Sequence, residues 1–292
     1  MKSSHLTDAY INLLRSTLLN LIYIETEAKL LYVFDQKLKG KDLNLSLFIK
    51  DANFSQAIEL LKDTKITGKN FALYQELKDG RKIRREDTRN ILELSHTMIG
   101  EQRLDNLRFC VETVLKENIS GDFIETGIWK GGACIYMRGI LKAYDVRDRV
   151  VYAADSFDGV PEPSLPQDKD SKLSKRHLPI LAVTLDEVKA LFQRYGLLDD
   201  QLRFLKGWFK DTLPKAPIDK LSILRLDGDL YESTMDALNP LYEKVESGGF
   251  IIVDDYGSCP PCKEAITDFR KQKKIRDPLV PIDAQSVYWR KS

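Results

Sequence analysis

From about residue 121 the chain alternates short β-branched runs with segments of helical periodicity, and it ends on two runs with no room for a helix between them. Such alternation marks a parallel sheet, because each parallel strand needs a long crossover, usually a helix, to reach the next. The spacing predicts strands at DFIETGI (122–128), VVYAADSF (150–157), LRFLKGWF (202–209), LSILRLDGD (221–229) and GGFIIVDDY (248–256), then PLVPIDA and SVYWRK. Helical patterns occupy 132–144, 186–195, 234–246 and 263–274. Thr184 and Glu187 form a capping box for the second of these, Gly196 is expected to stop it, and Ser233 is expected to cap the third.

Lacking a crossover, the last two runs should pair as an antiparallel hairpin. Dinucleotide-binding Rossmann sheets usually finish parallel, whereas class I methyltransferase sheets finish on such a hairpin. The expected fold is therefore α/β, a Rossmann-like seven-stranded sheet of the class I methyltransferase type, over residues 121–292. Residues 1–120 read as an N-terminal helical region. Tyr10, Leu13, Leu14, Leu18 and Leu21 recur at helical spacing, as do Leu104, Leu107, Val111 and Val114. The charged stretch from 25 to 89, with modest helical patterning at 54–61, carries no recognisable chemistry.

Composition removes several classes. With 43% hydrophobic and 30% charged residues in 292, the chain can bury a sizeable core but holds no uninterrupted apolar run long enough to span a membrane. A formal charge of +1 provides no global field toward nucleic acid, and Lys37–Lys41 reads as a solvated face. Asp8 and Arg15 interrupt the place where a secretory signal would need an apolar core, so the expectation is no targeting segment and a cytoplasmic location. Four cysteines make no disulfide scaffold. Cys259-Pro-Pro-Cys262 has zinc-ligand spacing but no second pair, and reads as two thiols at a helix start.

In open parallel sheets, ligands bind outside the carboxyl ends of the strands. There the first strand runs Glu125-Thr126-Gly127-Ile128-Trp129-Lys130-Gly131-Gly132 into a helix, offering close backbone approach and free N–H groups. The pattern is GxxxGG, so the dinucleotide fingerprint is not met. Glu125 would repel a pyrophosphate but suits an ammonium group such as that of S-adenosylmethionine. Asp155, followed by Ser156, stands where a carboxylate can accept from ribose hydroxyls. Gly207-Trp208 closes the third strand, where the indole could pack on adenine, although core packing serves Trp208 equally well. The fourth and fifth strands end in Asp227-Gly228-Asp229 and Asp254-Asp255. Clustered carboxylates are costly to bury without a cation or donors, and a hard divalent metal such as magnesium answers that cost.

Together, SHTMIGEQRLDNLRFCVETVL, FIETGIWKGGA, GWFKDTLP, LRLDGDLYESTMDALNPLY, GGFIIVDDYG and the terminal VYWRK resemble the macrocin O-methyltransferase family, as does the first helix, AYINLLRSTLLNLIY. The segment 25–89 looks longer than that family's usual link. The resemblance implies an S-adenosylmethionine- and magnesium-dependent O-methyltransferase acting on a sugar hydroxyl of a natural product. Glu125, Thr126, Gly127 and Trp129 match its methionine-binding turn and Asp155 its ribose carboxylate, while Thr97 and Met98 lie in the HTMIG motif that folds over the cofactor. Asp227, Asp254 and Asp255 match its magnesium ligands, and Asp227 also its proposed base, with His96 an alternative. The loop 158–181 is expected to order over the site, with Asp283 and Gln285 near the acceptor. Other expectations are a small-molecule acceptor, no nucleic acid or membrane partner, and an isologous homodimer. A catechol or other vicinal-diol acceptor, or a non-catalytic binding protein, are the alternatives.

Overall fold

The computed structural model describes residues 4–43, 65–66, 69–70, 74–76, 82–84 and 94–292. The chain divides into two compact units, Met1–Ile11 with Gln102–Ser292, and Asn12–Glu101. In the second lie the latter half of α1 (His5–Leu18), then α2 (Ile24–Leu38) and two small antiparallel pairs, β1 (Lys65–Ile66) with β2 (Lys69–Asn70) and β3 (Tyr74–Glu76) with β4 (Lys82–Arg84). Asn20 donates to the buried Glu27 at 2.9 Å, and the His96 N–H reaches the carbonyl of Leu18 at 2.8 Å. The pattern read at 54–61 lies outside the described residues.

The first unit holds a seven-stranded sheet. Its strands are β5 (Asp122–Thr126), β6 (Val151–Asp155), β7 (Leu202–Lys206), β8 (Leu221–Leu226), β9 (Val245–Val253), β10 (Val280–Pro281) and β11 (Val287–Arg290), in the order β10-β11-β9-β8-β5-β6-β7. The pairs from β9 to β7 are parallel, and β11 enters antiparallel to β9 with β10 antiparallel to it, as the missing crossover requires. The chain winds to one side through β6 and β7 and to the other through β8 and β9, so the topological switch lies between β5 and β8, where such sheets bind ligands.

Registered neighbours share a face, since side chains alternate along a strand. Ile124, Leu224 and Ile251 lie side by side on one face, buried with Leu238, Leu241, Ile266 and Phe269 of the two helices that follow β8 and β9. Glu125, Arg225 and Ile252 lie side by side on the other. At the near end of the unit, Asp8 accepts from Arg108 of α3 (Glu101–Lys116), tying the first residues of the chain to the body that begins at residue 102.

The capping box at Thr184 and Glu187 forms as expected, and Gly196 follows that helix at a φ of 64°. The third helix differs: it spans Tyr231–Leu241 and places Ser233 inside its first turn, buried, not at the cap. Its N-cap, Leu230, has no side-chain acceptor, and Asp168 from the loop after β6 takes that task, accepting from Tyr231 N–H at 2.7 Å and Glu232 N–H at 3.0 Å. The helix also ends earlier than its pattern suggested. Pro240 cannot extend the ladder, and Val245 pairs with Leu221 as the first residue of β9. Among the described residues, no helix is long and apolar enough to cross a membrane.

Candidate active site

The switch point is built around a charge that sequence reading passed over. Arg225 sits within β8, 1% exposed, on the face it shares with Glu125. Its Nη1 donates to Glu125 at 2.5 Å and to Asp227 at 2.6 Å, and its Nη2 meets Asp254. Period-two alternation makes this possible, since Arg225 and Asp227 point to one side of β8 and Glu125 and Asp254 stand on the flanking strands. Burial works against the guanidinium's charge, but Asp254, Asp227 and Glu125 outweigh it and hold its pKa well above the ordinary value.

One guanidinium does not balance the cluster. Asp229 and Asp255 add two more carboxylates, and the second cation of this network among the described residues, Arg103, divides itself between Asp254 at 2.5 Å and Asp283 at 2.6 Å, with Gln285 at 2.8 Å. Burial pushes Glu125 up to about 7. Burial, then the nearby Asp227, pushes Asp229 to about 7 and Asp254 to about 6. Asp255 is raised well above the carboxylate range by burial and by Asp229, Asp227 and Asp254. Oxygens of Asp227, Asp254 and Asp255 lie within 4.8 Å of one another, and Asp255 Oδ2 is buried with no hydrogen-bond partner among the described residues. An all-oxygen set with surplus negative charge and an unmatched buried acceptor fits a hard divalent cation.

The turn beside the cluster also fits a nucleoside-bearing group. Gly127 has a φ of 88°, and a Cβ there would land 1.8 Å from the carbonyl oxygen of Asp227, so only glycine lets β5 and β8 converge. Asp155 Oδ2 accepts from Ile128 N–H at 2.8 Å and Oδ1 from Phe157 N–H at 2.7 Å, with the Ser156 hydroxyl at 3.4 Å, so the carboxylate is held fixed at the strand end beside the glycine turn. The helix Gly132–Ala143 opens at Gly131 with no side-chain cap, so its first N–H groups face the turn. Trp208 is 37% exposed past β7, beside Gly207, whose φ of 134° turns the chain there.

Other expected residues also make contacts within the protein. Glu125 is 2% exposed, with one oxygen on Arg225 and the other accepting from the Cys134 thiol at 3.0 Å, so it braces the turn from beneath where an open ammonium contact was expected. The Thr126 hydroxyl reaches the carbonyl of Arg225 at 3.4 Å, and Ser156 closes its own turn on Gly159 O at 2.7 Å. Trp129 donates its indole N–H to Ile180 O at 2.9 Å and so holds the loop 158–181, which Asp168 also pins. Thr97 is buried and Met98 exposed in the second unit, where His96 also lies, half-buried.

Residues 7–291 match the macrocin O-methyltransferase (TylF) family along nearly the whole chain. The chain belongs to this family. It is 56% identical over 201 residues to the demethyldecarbamoylnovobiocin O-methyltransferase of Streptomyces niveus, covering 68% of this chain and 76% of that one. It is 52% identical over 200 residues to the 8-demethyl-8-(2,3-dimethoxy-α-L-rhamnosyl)-tetracenomycin-C 4′-O-methyltransferase of Streptomyces olivaceus, covering 68% and 76%. The structure of the O-methyltransferase NovP superposes with a TM-score of 0.66 at 56% identity over 68% of this chain and 83% of that one.

As a macrocin O-methyltransferase family member, the chain is an O-methyltransferase, and the non-catalytic alternative is set aside. Methyltransferases of this fold take their methyl group from S-adenosylmethionine. Of the residues expected from the sequence, the strand-end aspartates and the glycine turn lie together at the switch point. Sequence reading missed Arg225, Arg103, Asp229 as a separate group, and Asp168. The first two hide in motifs whose charged members gave no sign of direction. Two adjacent acidic strand ends were the available signal that a buried cation should be sought.

Proposed function

We propose that this protein methylates a sugar hydroxyl of a glycosylated natural product, with S-adenosylmethionine as donor and magnesium held by Asp227, Asp254 and Asp255. The observation that carries this reading is the excess of buried carboxylate over guanidinium at the switch point, beside a glycine turn and a ribose-type aspartate. The rhamnosyl group in one relative's name indicates the class of acceptor.

Asp155 and the turn through Gly127 hold and orient the donor, whose sulfonium supplies an electrophilic methyl carbon. Asp227, Asp254 and Asp255 would hold the magnesium, whose Lewis acidity would lower the pKa of an acceptor hydroxyl. Arg225 keeps Asp227 and Asp254 in place and screens their repulsion. Asp227 Oδ2 already accepts from Arg225 at 2.6 Å and is assigned to the cation, so its acceptor positions are taken. We therefore move the expected proton acceptance from Asp227 to Asp229, which stands on the same turn and meets the Cys259 thiol at 3.5 Å. Asp227 remains a ligand.

Calorimetry with S-adenosylhomocysteine, with and without magnesium, tests the assignment. Wild type should bind both, Asp155→Ala should lose the nucleoside, and Asp254→Ala should keep it without a magnesium heat. Asp229→Asn should bind both and lose about 10²–10⁴ in kcat. Full turnover after chelation, or a fully active Asp229→Asn, would overturn the corresponding role.

A further inference from the structure

Asp229 and Cys259 lie beside the magnesium set without belonging to it. Asp229 follows β8 at a φ of 58°, and Cys259 is the N-cap of the helix Pro260–Gln272, so the two meet where the loops after β8 and β9 run together. Ligand atoms of Asp229, Asp255 and Cys259 all lie within 4.8 Å of one another. Asp255 is 8% exposed, and its Oδ2 is an acceptor left without a hydrogen-bond partner among the described residues. Cys262 is no substitute, because it packs into the apolar core with Ile266 and Phe269.

We propose that Asp229, Asp255 and Cys259 form a second metal site, selective for thiophilic divalent cations of the zinc class, whose occupation inhibits methyl transfer. Two carboxylate oxygens and one thiolate make a three-donor set with a fourth position open, which suits zinc or cobalt. Magnesium takes oxygen donors and does not seek sulfur. The thiol proton leaves to solvent as the metal binds. Asp227 and Asp254 lend the site further negative charge from the adjoining set. Inhibition follows because Asp255 is common to both sets, so a zinc-class cation withdraws one magnesium ligand and covers Asp229. This second half rests on the magnesium reading, whereas the site itself does not.

Cobalt added to the metal-stripped full chain should raise a thiolate-to-cobalt charge-transfer band in wild type and in Cys262→Ser, and none in Cys259→Ser. Relative to its own magnesium-supported turnover, Cys259→Ser should require at least tenfold more zinc than wild type for half-inhibition. X-ray absorption of the zinc-loaded wild type should find one sulfur neighbour at about 2.3 Å, a result that depends on no substitution. An all-oxygen shell, no band in wild type, or a band surviving in Cys259→Ser overturns the site. Equal zinc inhibition of both proteins overturns the inhibitory role. If the band forms but turnover survives chelation, the magnesium reading fails and the zinc-class site stands.

Discussion

A guanidinium in the middle of a fully buried strand is tolerable only where carboxylates meet it, and Arg225 has three. It cannot neutralise all of them, and burial, with Asp227 and Asp254 adding to it, pushes Glu125 up to about 7 from 4.5. The folded chain therefore binds a proton that the unfolded chain has released. Stability from this group is fully present below about pH 4.5 and is lost as the pH rises through about 7. In urea unfolding of chelated protein, wild type should lose about 2–3 kcal/mol more than Glu125→Gln between pH 5 and pH 8, at 1.36 kcal/mol for each unit of pKa difference. Parallel pH profiles for the two proteins would show that the carboxyl titrates normally.

Among elements, the helix Tyr231–Leu241 depends on a residue far away in sequence. Asp168, 0% exposed, caps it and thereby ties the loop 158–181 to the segment that carries Asp227 and Asp229. Asp168→Ala should cost about 1–2 kcal/mol in denaturant unfolding and weaken magnesium binding several-fold, with Asp168→Asn partly restoring both. Unchanged magnesium affinity in a destabilised Asp168→Ala would confine the cap to stability. This cap was not legible in the sequence, because a pattern search looks for capping side chains within a few residues and so chose Ser233. The strands were legible, since apolar runs such as that at 221–226 and the missing crossover before residue 287 follow from local spacing alone. The site was legible as far as its strand-end aspartates. Arg225 and Arg103 were not, because their partners are chosen by strand register and by the terminal hairpin, which no linear pattern states.

On the scale of the whole molecule, a cation bound only by the folded chain stabilises it by mass action. Magnesium at about one hundred times its dissociation constant should add about 2.7 kcal/mol, read as a rise in Tm that chelation reverses. Asp254→Ala should show no such rise, and a similar rise with that variant would place the stabilising cation elsewhere. The division of the chain into units has a temporal side. Residues 1–11 belong with residues 102–292, so the first piece of the sheet unit is synthesised ahead of the whole second unit, residues 12–101. At roughly 5–20 residues per second, the first piece waits roughly 5–18 s on the ribosome for its partners to emerge. Asp8 must then find Arg108 across an already translated stretch, at a closure cost that grows only as the logarithm of its length. The order of synthesis thus favours folding of the inserted unit first, with the catalytic sheet closing around its own beginning only late in translation.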